Sequence, residues 1–332
     1  MIYKKIFITG GGGYCGSRLV PFLLKKKYFV TVYDTFYFGN FLPKNHSKLK
    51  VIKGDIRNTK FLKESCNGHD IFINLACISN DSSFVLNEKL STSINYEAFE
   101  PMVIASKESG IKRFIYASSS SVYGVSNKKD VKENDPLIPL TLYNKYKGMC
   151  EPLLLRHTNK NFEGVIFRPA TVCGYSPRMR LDLSVNILTN YAFHKNEILV
   201  FGGDQLRPNL HIQDYCEVIL KFITSESKLV QNQIYNVGYQ NMSILEIAQK
   251  VKQVLEKKID KKIKIKIKES DDNRSYHINS DKIYNILGFK PKNDLEFAIN
   301  ELLDCFDSGY FKDTFNDDSY YNVRTLKKLN VE

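Results

Sequence analysis

A chain of 332 residues exceeds the usual size of a single hydrophobic core, which predicts one large domain with a smaller lobe. Its hydrophobic content of 43% and charged content of 25% are ordinary for a globular protein. The net charge of +12 is spread along the chain without a nucleic-acid-binding motif, so we expect no nucleic-acid partner. Part of that excess can instead attract an anionic ligand that carries a diphosphate.

The seven cysteines and six histidines indicate neither disulfides nor a metal site. The cysteines show no paired spacing and the histidines are scattered, so we expect reduced thiols and no bound metal. The N-terminal residues lack the apolar core of a signal peptide, and no apolar run reaches membrane-spanning length. The sequence therefore predicts a cytoplasmic protein with no membrane partner.

Short apolar runs alternate with helix-length segments over the first 170 residues or so. This alternation predicts an α/β fold, a Rossmann-type doubly wound parallel sheet whose ligands bind at the carboxyl ends of the strands. Strands are predicted at 5–9, 28–33, 50–53, 70–75, 112–118, 163–168 and 234–237.

After residue 169 the alternation breaks, and a helix predicted at 184–194 belongs to an insertion. We assign residues 1–174 and 205–240 to the dinucleotide-binding sheet domain. Residues 175–204 and 241–332 are assigned to a smaller α+β lobe that binds the substrate.

A glycine-rich turn follows the first predicted strand and precedes an apolar helix. Glycines permit a tight turn and close backbone approach, while the helix N-terminus offers free N–H groups and a positive dipole end to phosphate. A glycine turn alone is weak evidence, but this context is the one that a dinucleotide requires. The predicted pyrophosphate-binding residues are Gly10, Gly13, Tyr14, Cys15 and Gly16.

The second predicted strand leads into Asp34, 18 residues beyond Gly16. A carboxylate there can accept hydrogen bonds from both ribose hydroxyls and would repel a 2′-phosphate, which favours NAD over NADP. The alternative is that Asp34 only caps the next turn. Further cofactor contacts are predicted where the third and fourth strands end, at Asp55, Ile56, Leu75, Ala76 and Cys77.

Tyr143 and Lys147 are four residues apart, so they share one face if their segment is helical. A tyrosine with a pKa of about 10 is a poor base at neutral pH, but an adjacent ammonium favours the phenolate. Hydroxyls at 118–121, after the fifth strand, can hydrogen-bond the reacting oxygen; the alternative is an ordinary polar loop. The pair and the glycine turn together predict nicotinamide-dependent chemistry on an alcohol or ketone.

These motifs make the chain resemble the extended short-chain dehydrogenases/reductases that modify nucleotide sugars, the epimerase/dehydratase group. The resemblance covers almost the whole length. It is carried by Thr9 to Gly16, Asp55-Ile56, Ser118 to Gly124, Tyr143 with Lys147, Arg168-Pro169 and Arg207 to Asp214.

The resemblance implies a catalytic role for three side chains. Tyr143 would deprotonate a sugar hydroxyl, usually at C4, as hydride leaves that carbon for the nicotinamide. Lys147 would hold the nicotinamide ribose and lower the tyrosine pKa, and Ser119 would assist the tyrosine. Asn95 would order the active-site helix, and both Asn95 and Tyr143 would contact the cofactor. A homodimer is also implied, in which the helices after Asn95 and Tyr143 pack against their copies.

The resemblance further implies that the smaller lobe binds a nucleotide sugar. Arginine suits its diphosphate through planar, bidentate donors, although surface arginines in ion pairs are the plain alternative. The implied substrate-binding residues are Ser79, Ser119, Ser120, Thr171, Arg178, Arg180, Asn186, Arg207 and Arg274.

Departures from the subgroups of this family narrow the reaction. The 4,6-dehydratases carry acidic residues where this chain has Ser120 and Ser121, so dehydration is disfavoured. The stretches 168–174, 178–186 and 271–277 are most similar to capsule-biosynthesis enzymes that oxidise C4 of GDP-D-glycero-α-D-manno-heptose. A 4-epimerase with the same first step stays open, as does a non-catalytic nucleotide sensor.

Overall fold

The computed structural model describes residues 3–126, 128, 130–259, 261–270 and 275–330. The strands are β1 Lys5–Thr9, β2 Phe29–Asp34, β3 Leu49–Lys53, β4 Ile71–Asn74, β5 Arg113–Ala117, β6 Glu163–Pro169, β7 Thr171–Cys173, β8 Glu197–Phe201, β9 Leu206–His211, β10 Gln233–Val237, β11 Gln240–Ser243 and β12 Lys264–Lys268. The α-helices are α1 Tyr14–Lys25, α2 Thr59–Cys66, α3 Asp81–Phe84, α4 Glu88–Thr92, α5 Phe99–Glu108, α6 Leu142–Leu155, α7 Ser184–Lys195, α8 Ile212–Thr224, α9 Ser227–Val230, α10 Ile244–Lys258, α11 Asp281–Leu287, α12 Leu295–Asp307 and α13 Asn322–Leu329.

Within these described ranges, seven parallel strands form the central sheet in the order β10-β6-β5-β4-β1-β2-β3. The inner strands β4 and β5 are buried along their whole length, because helices cover both faces of a parallel sheet. Each of the seven predicted strands is present, with both ends within one residue of the prediction. The predicted Rossmann-type α/β fold is confirmed.

The order of the strands positions a ligand site. From β1 the chain adds β2 and β3 on one side, then returns to add β4, β5, β6 and β10 on the other. Loops that leave β1 and β4 therefore diverge at a switch point, and the crevice between them is where open α/β sheets bind ligands.

A second group of elements packs beside the carboxyl end of β6. Strand β9 pairs with β7 and β11, while β12 pairs in parallel with β8. Helices α7, α10 and α12 close a separate apolar core that includes Val185, Ile198, Val251 and Ile299. Helix α7 matches the predicted insertion helix, and the domain boundaries themselves stay a prediction.

No helix in the described part of the chain is both long and apolar enough to cross a membrane.

A buried ion pair fixes α6 on the sheet. Arg168 on β6 donates through Nε and Nη2 to the carboxylate of Glu151 on α6, at 2.9 and 2.6 Å. Ser118, directly after β5, donates to the same carboxylate at 2.6 Å, and Arg168 Nη1 donates to the Tyr123 hydroxyl at 2.7 Å. Both charged side chains are at most 4% exposed. The network joins β5, β6 and α6 next to the expected reaction site.

We expect Glu151→Gln to lower the free energy of unfolding by about 3–5 kcal/mol, because Arg168 would stay buried without a charged partner. The matched control is Glu108→Gln, at a side chain that is 54% exposed beside Lys63; it should cost no more than about 1 kcal/mol. Urea unfolding followed by circular dichroism measures both losses. Equal losses at the two positions would contradict the role of the buried pair.

Candidate active site

A cleft of about 330 Å³ lies at the carboxyl ends of β1, β2, β4 and β5, between the sheet and the second group of elements. Most of the sequence-predicted site residues line it. They are Gly10, Gly13, Tyr14, Cys15, Gly16, Asp34, Asp55, Ile56, Leu75, Ala76, Cys77, Ser79, Ser119, Ser120, Tyr143, Lys147, Thr171, Arg178, Arg180 and Arg207.

The glycine turn is shaped by close backbone contacts. A Cβ on Gly10 would lie 2.5 Å from the backbone nitrogen of Ala76, and the φ of Gly10 is +73°. A Cβ on Gly16 would lie 2.4 Å from the carbonyl oxygen of Gly11, so this glycine lets α1 approach the turn. Gly13 is the N-cap residue of α1 and provides no side-chain cap, which leaves helix N–H groups for an anion. The turn therefore fits a dinucleotide pyrophosphate.

Asp34 lies at the end of β2 with its carboxylate in the cleft. It accepts hydrogen bonds from the backbone N–H of Gly12 at 2.8 Å and of Phe36 at 2.7 Å. Burial raises the pKa of this carboxyl, although these bonds and the charge of Arg178 act in the opposite direction. The carboxylate thus bonds the neighbouring turns, as expected from the alternative that Asp34 caps a turn. It also lines the cleft, where a ribose hydroxyl can reach it.

Tyr143 and Lys147 lie on the cleft side of α6, whose first turn is capped by the hydroxyl of Thr141. The Lys147 ammonium donates to the carbonyl of Ala117 at 2.8 Å, at the end of β5. We expected the Lys147 ammonium to lower the pKa of Tyr143, and this prediction is wrong in this geometry. Burial raises the pKa of Tyr143 well above its ordinary value, and the largest opposing effect comes from the charge of Arg180. The Lys147 ammonium is engaged by the Ala117 carbonyl in this geometry.

The serines after β5 make a hydrogen-bonded ledge along the cleft. Ser119 Oγ lies 2.7 Å from Ser121 Oγ, and Ser121 donates to the side-chain oxygen of Asn144 on α6. Ser118 and Ser120 are buried and also line the cleft, and Ser118 donates to Glu151. Ser119 also caps the short turn that follows, as the polar-loop alternative expects. That alternative does not account for the position of Ser119 in the cleft.

Two predicted ligand contacts are absent from the cleft lining among the described residues. The Asn95 side chain bonds the backbone N–H and carbonyl of Ile78, so it orders the segment after β4. Asn186 is fully buried on α7; it accepts from the Gly174 N–H and donates to the Tyr14 hydroxyl, which leaves none of the amide for a substrate. Arg274 lies outside the described residues.

Some residues that line the cleft were missed by sequence reasoning. Asp81 follows β4, accepts from the hydroxyl of Thr141, and its charge raises the pKa of Tyr143. It could have been found, because it lies at the carboxyl end of a predicted strand. Tyr276 and Asn322 come from far along the chain, and no sequence pattern connects them with the cleft.

Comparison with known proteins agrees with this geometry. The model of the family described as "NAD dependent epimerase/dehydratase family" matches residues 6–238. The chain therefore belongs to that family, and it is an NAD-dependent enzyme of the type that the resemblance implied.

Three similar proteins illustrate the range of the family. The dTDP-D-glucose 4,6-dehydratase of Mus musculus is 26% identical over 325 residues, covering 92% of this chain and 90% of that protein. A Bacillus subtilis protein named "Uncharacterized UDP-glucose epimerase YtcB" is 30% identical over 265 residues, covering 75% and 82%. The structure of MoeE5 in complex with UDP-glucuronic acid and NAD has a TM-score of 0.81 at 21% identity, covering 92% and 99%.

We expect Gly13→Ala to weaken NAD binding by at least about tenfold. The reason is steric: the atom nearest to the added Cβ is the Gly10 carbonyl oxygen at 3.3 Å, so the protein tolerates the methyl group but the cofactor loses its close approach. The unfolding temperature of the free protein should change by no more than about 4 °C. Gly16→Ala is the contrast, since it should also destabilise the fold. Isothermal titration and thermal unfolding separate the two; unchanged NAD affinity in Gly13→Ala would contradict the assignment.

Proposed function

We propose that this protein uses NAD to oxidise the C4 hydroxyl of a nucleotide sugar to a ketone. The observation that carries the proposal is the placement of Tyr143, Lys147 and Ser119 in the same cleft as the glycine turn. A dinucleotide on that turn and a sugar hydroxyl beside the phenol fit within one site. Relatives named as a dTDP-D-glucose 4,6-dehydratase and a UDP-glucose 4-epimerase support both the substrate class and the position on the sugar.

In this reaction bound NAD supplies the hydride acceptor. Tyr143, in its phenolate form, would accept the proton of the sugar hydroxyl and become the neutral phenol, while the Ser119 hydroxyl would hydrogen-bond the same sugar oxygen. Lys147 would exchange its bond to the Ala117 carbonyl for one to the nicotinamide ribose, a contact that only the bound cofactor offers.

Dehydration is the less favoured reaction, even though dehydratases are among the relatives. Ser120 and Ser121 stand where dehydratases carry acids, and the Ser121 hydroxyl is already bonded to Ser119 and Asn144. A carboxylate in the cleft, that of Asp81, comes instead from the segment after β4. A 4-epimerase, which returns the hydride to the opposite face, remains the second candidate because it shares the first step.

For the substrate we propose GDP-D-glycero-α-D-manno-heptose, used in capsular polysaccharide biosynthesis. The proposal rests on the similarity of residues 168–174, 178–186 and 271–277 to enzymes with that substrate. Arg207 on β9 lines the cleft and offers planar donors for the GDP diphosphate.

We further propose a homodimer in the cytoplasm. Ile104 on α5 and Met149 on α6 are exposed apolar side chains on the two helices that the resemblance assigns to the dimer contact. The seven cysteines are all free thiols, which fits a reducing compartment.

The reaction and its substrate are tested together by incubating the NAD-loaded protein with GDP-, UDP- and dTDP-sugars in deuterated water. With the GDP-heptose we expect mass spectrometry to show a product lacking two hydrogens, with deuterium gained beside the new carbonyl. A C4 epimer without accumulated ketone would identify the epimerase instead. Loss of water would show a dehydratase. Turnover of UDP- or dTDP-sugars alone would contradict the GDP-heptose assignment.

Tyr143→Phe should reduce turnover by about 10²–10⁴-fold, because the phenol oxygen is the group that exchanges the proton. NAD binding should stay near normal. Tyr146→Phe is the matched control, since its ring stacks on Tyr96 at 5.0 Å and it is not among the residues that line the cleft. Steady-state kinetics and NAD titration compare the two variants. Retained turnover in Tyr143→Phe rules out the mechanism, and NAD binding without activity on any sugar would favour a sensor.

A further inference from the structure

Two arginines in the loop after β7 are buried and yet line the cleft. We call residues 175–183 the arginine loop. Arg178 is 1% exposed and Arg180 is 7% exposed, and both reach the cavity that holds the glycine turn. A guanidinium with so little access to water needs acceptors for its donors.

Arg178 contacts the part of the protein that surrounds the glycine turn. Its backbone N–H donates to Ser17 Oγ in the first part of α1 at 3.1 Å, and its guanidinium lies over the Phe38 ring at 4.2 Å. Nη2 donates to Asn322 Oδ1 at 2.6 Å. Burial, followed by the charge of Arg180, lowers the pKa of Arg178 to about 9, while Asp182 and Asp34 act in the opposite direction. These contacts belong to the α1 and β2 side of the cleft.

Arg180 reaches from the same loop towards the reactive end of the cleft. Its Nε donates to Asp182 at 2.8 Å, and its Nη1 donates at 3.2 Å to Ser79 Oγ in the segment that follows β4. Its charge lowers the pKa of both Cys15, in the glycine turn, and Tyr143. Arg180 therefore lies between the start of α1 and the catalytic phenol.

Each of these arginines has one donor without an acceptor. Within the described residues, Arg178 Nε and Arg180 Nη2 are buried with no hydrogen-bond partner. A buried donor left unpaired typically costs about 1–3 kcal/mol, and more for a charged group. The two unpaired donors lie at the cavity whose glycine turn fits a pyrophosphate, so an anion at that position would satisfy both.

We propose that Arg178 and Arg180 bind the pyrophosphate of the dinucleotide cofactor, together with the N-terminus of α1. Sequence similarity assigned these arginines to the substrate diphosphate. Their contacts with Ser17, Phe38 and Ser79 place them in the cofactor half of the cleft. Arg207 on β9 then binds the substrate diphosphate. This assignment of Arg207 rests on the proposed function.

The C-terminal segment holds the arginine loop in position. The Asn322 backbone N–H donates to Asp182 at 3.0 Å, and its side chain donates to Ser79 at 2.9 Å in addition to accepting from Arg178. The Leu181 N–H donates to the carbonyl of Tyr320 at 2.9 Å. Under this proposal these contacts hold the arginines against the pyrophosphate, so loosening them should speed the release of NADH.

The test compares Arg178→Gln with Arg207→Gln by isothermal titration with NAD and, separately, with GDP. We expect Arg178→Gln to weaken NAD at least about tenfold and to leave GDP within about threefold. Arg207→Gln should show the reverse pattern. NAD affinity unchanged in Arg178→Gln, or GDP affinity lost in its place, overturns the proposal. Arg178→Lys, which keeps the charge, should lose less NAD affinity than Arg178→Gln, and an equal loss counts against it.

A second variant keeps the proposal open to refutation if Arg178→Gln fails to fold. Asn322→Ala leaves both arginines in place and removes the bond that positions Arg178. We expect NADH to dissociate at least about fivefold faster from it in stopped-flow fluorescence, with GDP affinity unchanged. An unchanged dissociation rate overturns the proposal. Neither measurement needs turnover, so failure here leaves the Tyr143→Phe test of the proposed function unaffected.

Discussion

The site depends on the buried ion pair between Arg168 and Glu151. Glu151 is one helical turn beyond Lys147 and two beyond Tyr143, so the residue that anchors α6 determines where both reactive side chains lie. The same carboxylate accepts from Ser118, which begins the serine ledge after β5. A charge pair of this kind adds little net stability compared with an apolar core, but it requires one particular arrangement of the elements that it joins. Here that arrangement brings Tyr143 and Lys147 to the cleft that the glycine turn lines.

Much of the fold and half of the site could be predicted because their signals are local. An apolar run between turns specifies a buried strand, and the spacing of Gly10, Gly13 and Gly16 specifies a turn that leads into a helix. The positions of Tyr143 and Lys147 on one helical face follow from four-residue spacing in the same way. Each of these predictions needs only a short segment and the knowledge that parallel strands end at a common edge.

The remaining part of the site depends on contacts between distant segments, which no short pattern encodes. Asn186 was assigned to the substrate, but its side-chain amide is hydrogen-bonded to the Gly174 N–H, the Tyr14 hydroxyl and the Arg180 carbonyl. The pKa of Tyr143 could not be read from its neighbour in the helix, because burial decides the direction of the shift and the charge of Arg180, from another loop, opposes it. Asn322 enters the cleft only because α13 docks beside α3. The sequence predicted which side chains line the cleft more easily than it predicted which groups surround them.

The glycine turn separates two kinds of evolutionary constraint. Gly10 and Gly16 are restricted by the protein's own backbone, whereas the space beside Gly13 is restricted chiefly by what binds there. In a descendant that had given up its dinucleotide, selection would relax at position 13 and persist at positions 10 and 16. Among distant homologues, loss of the glycine at position 13 alone would then indicate that the cofactor is no longer bound. Retention of all three glycines would indicate that only the sugar specificity has changed.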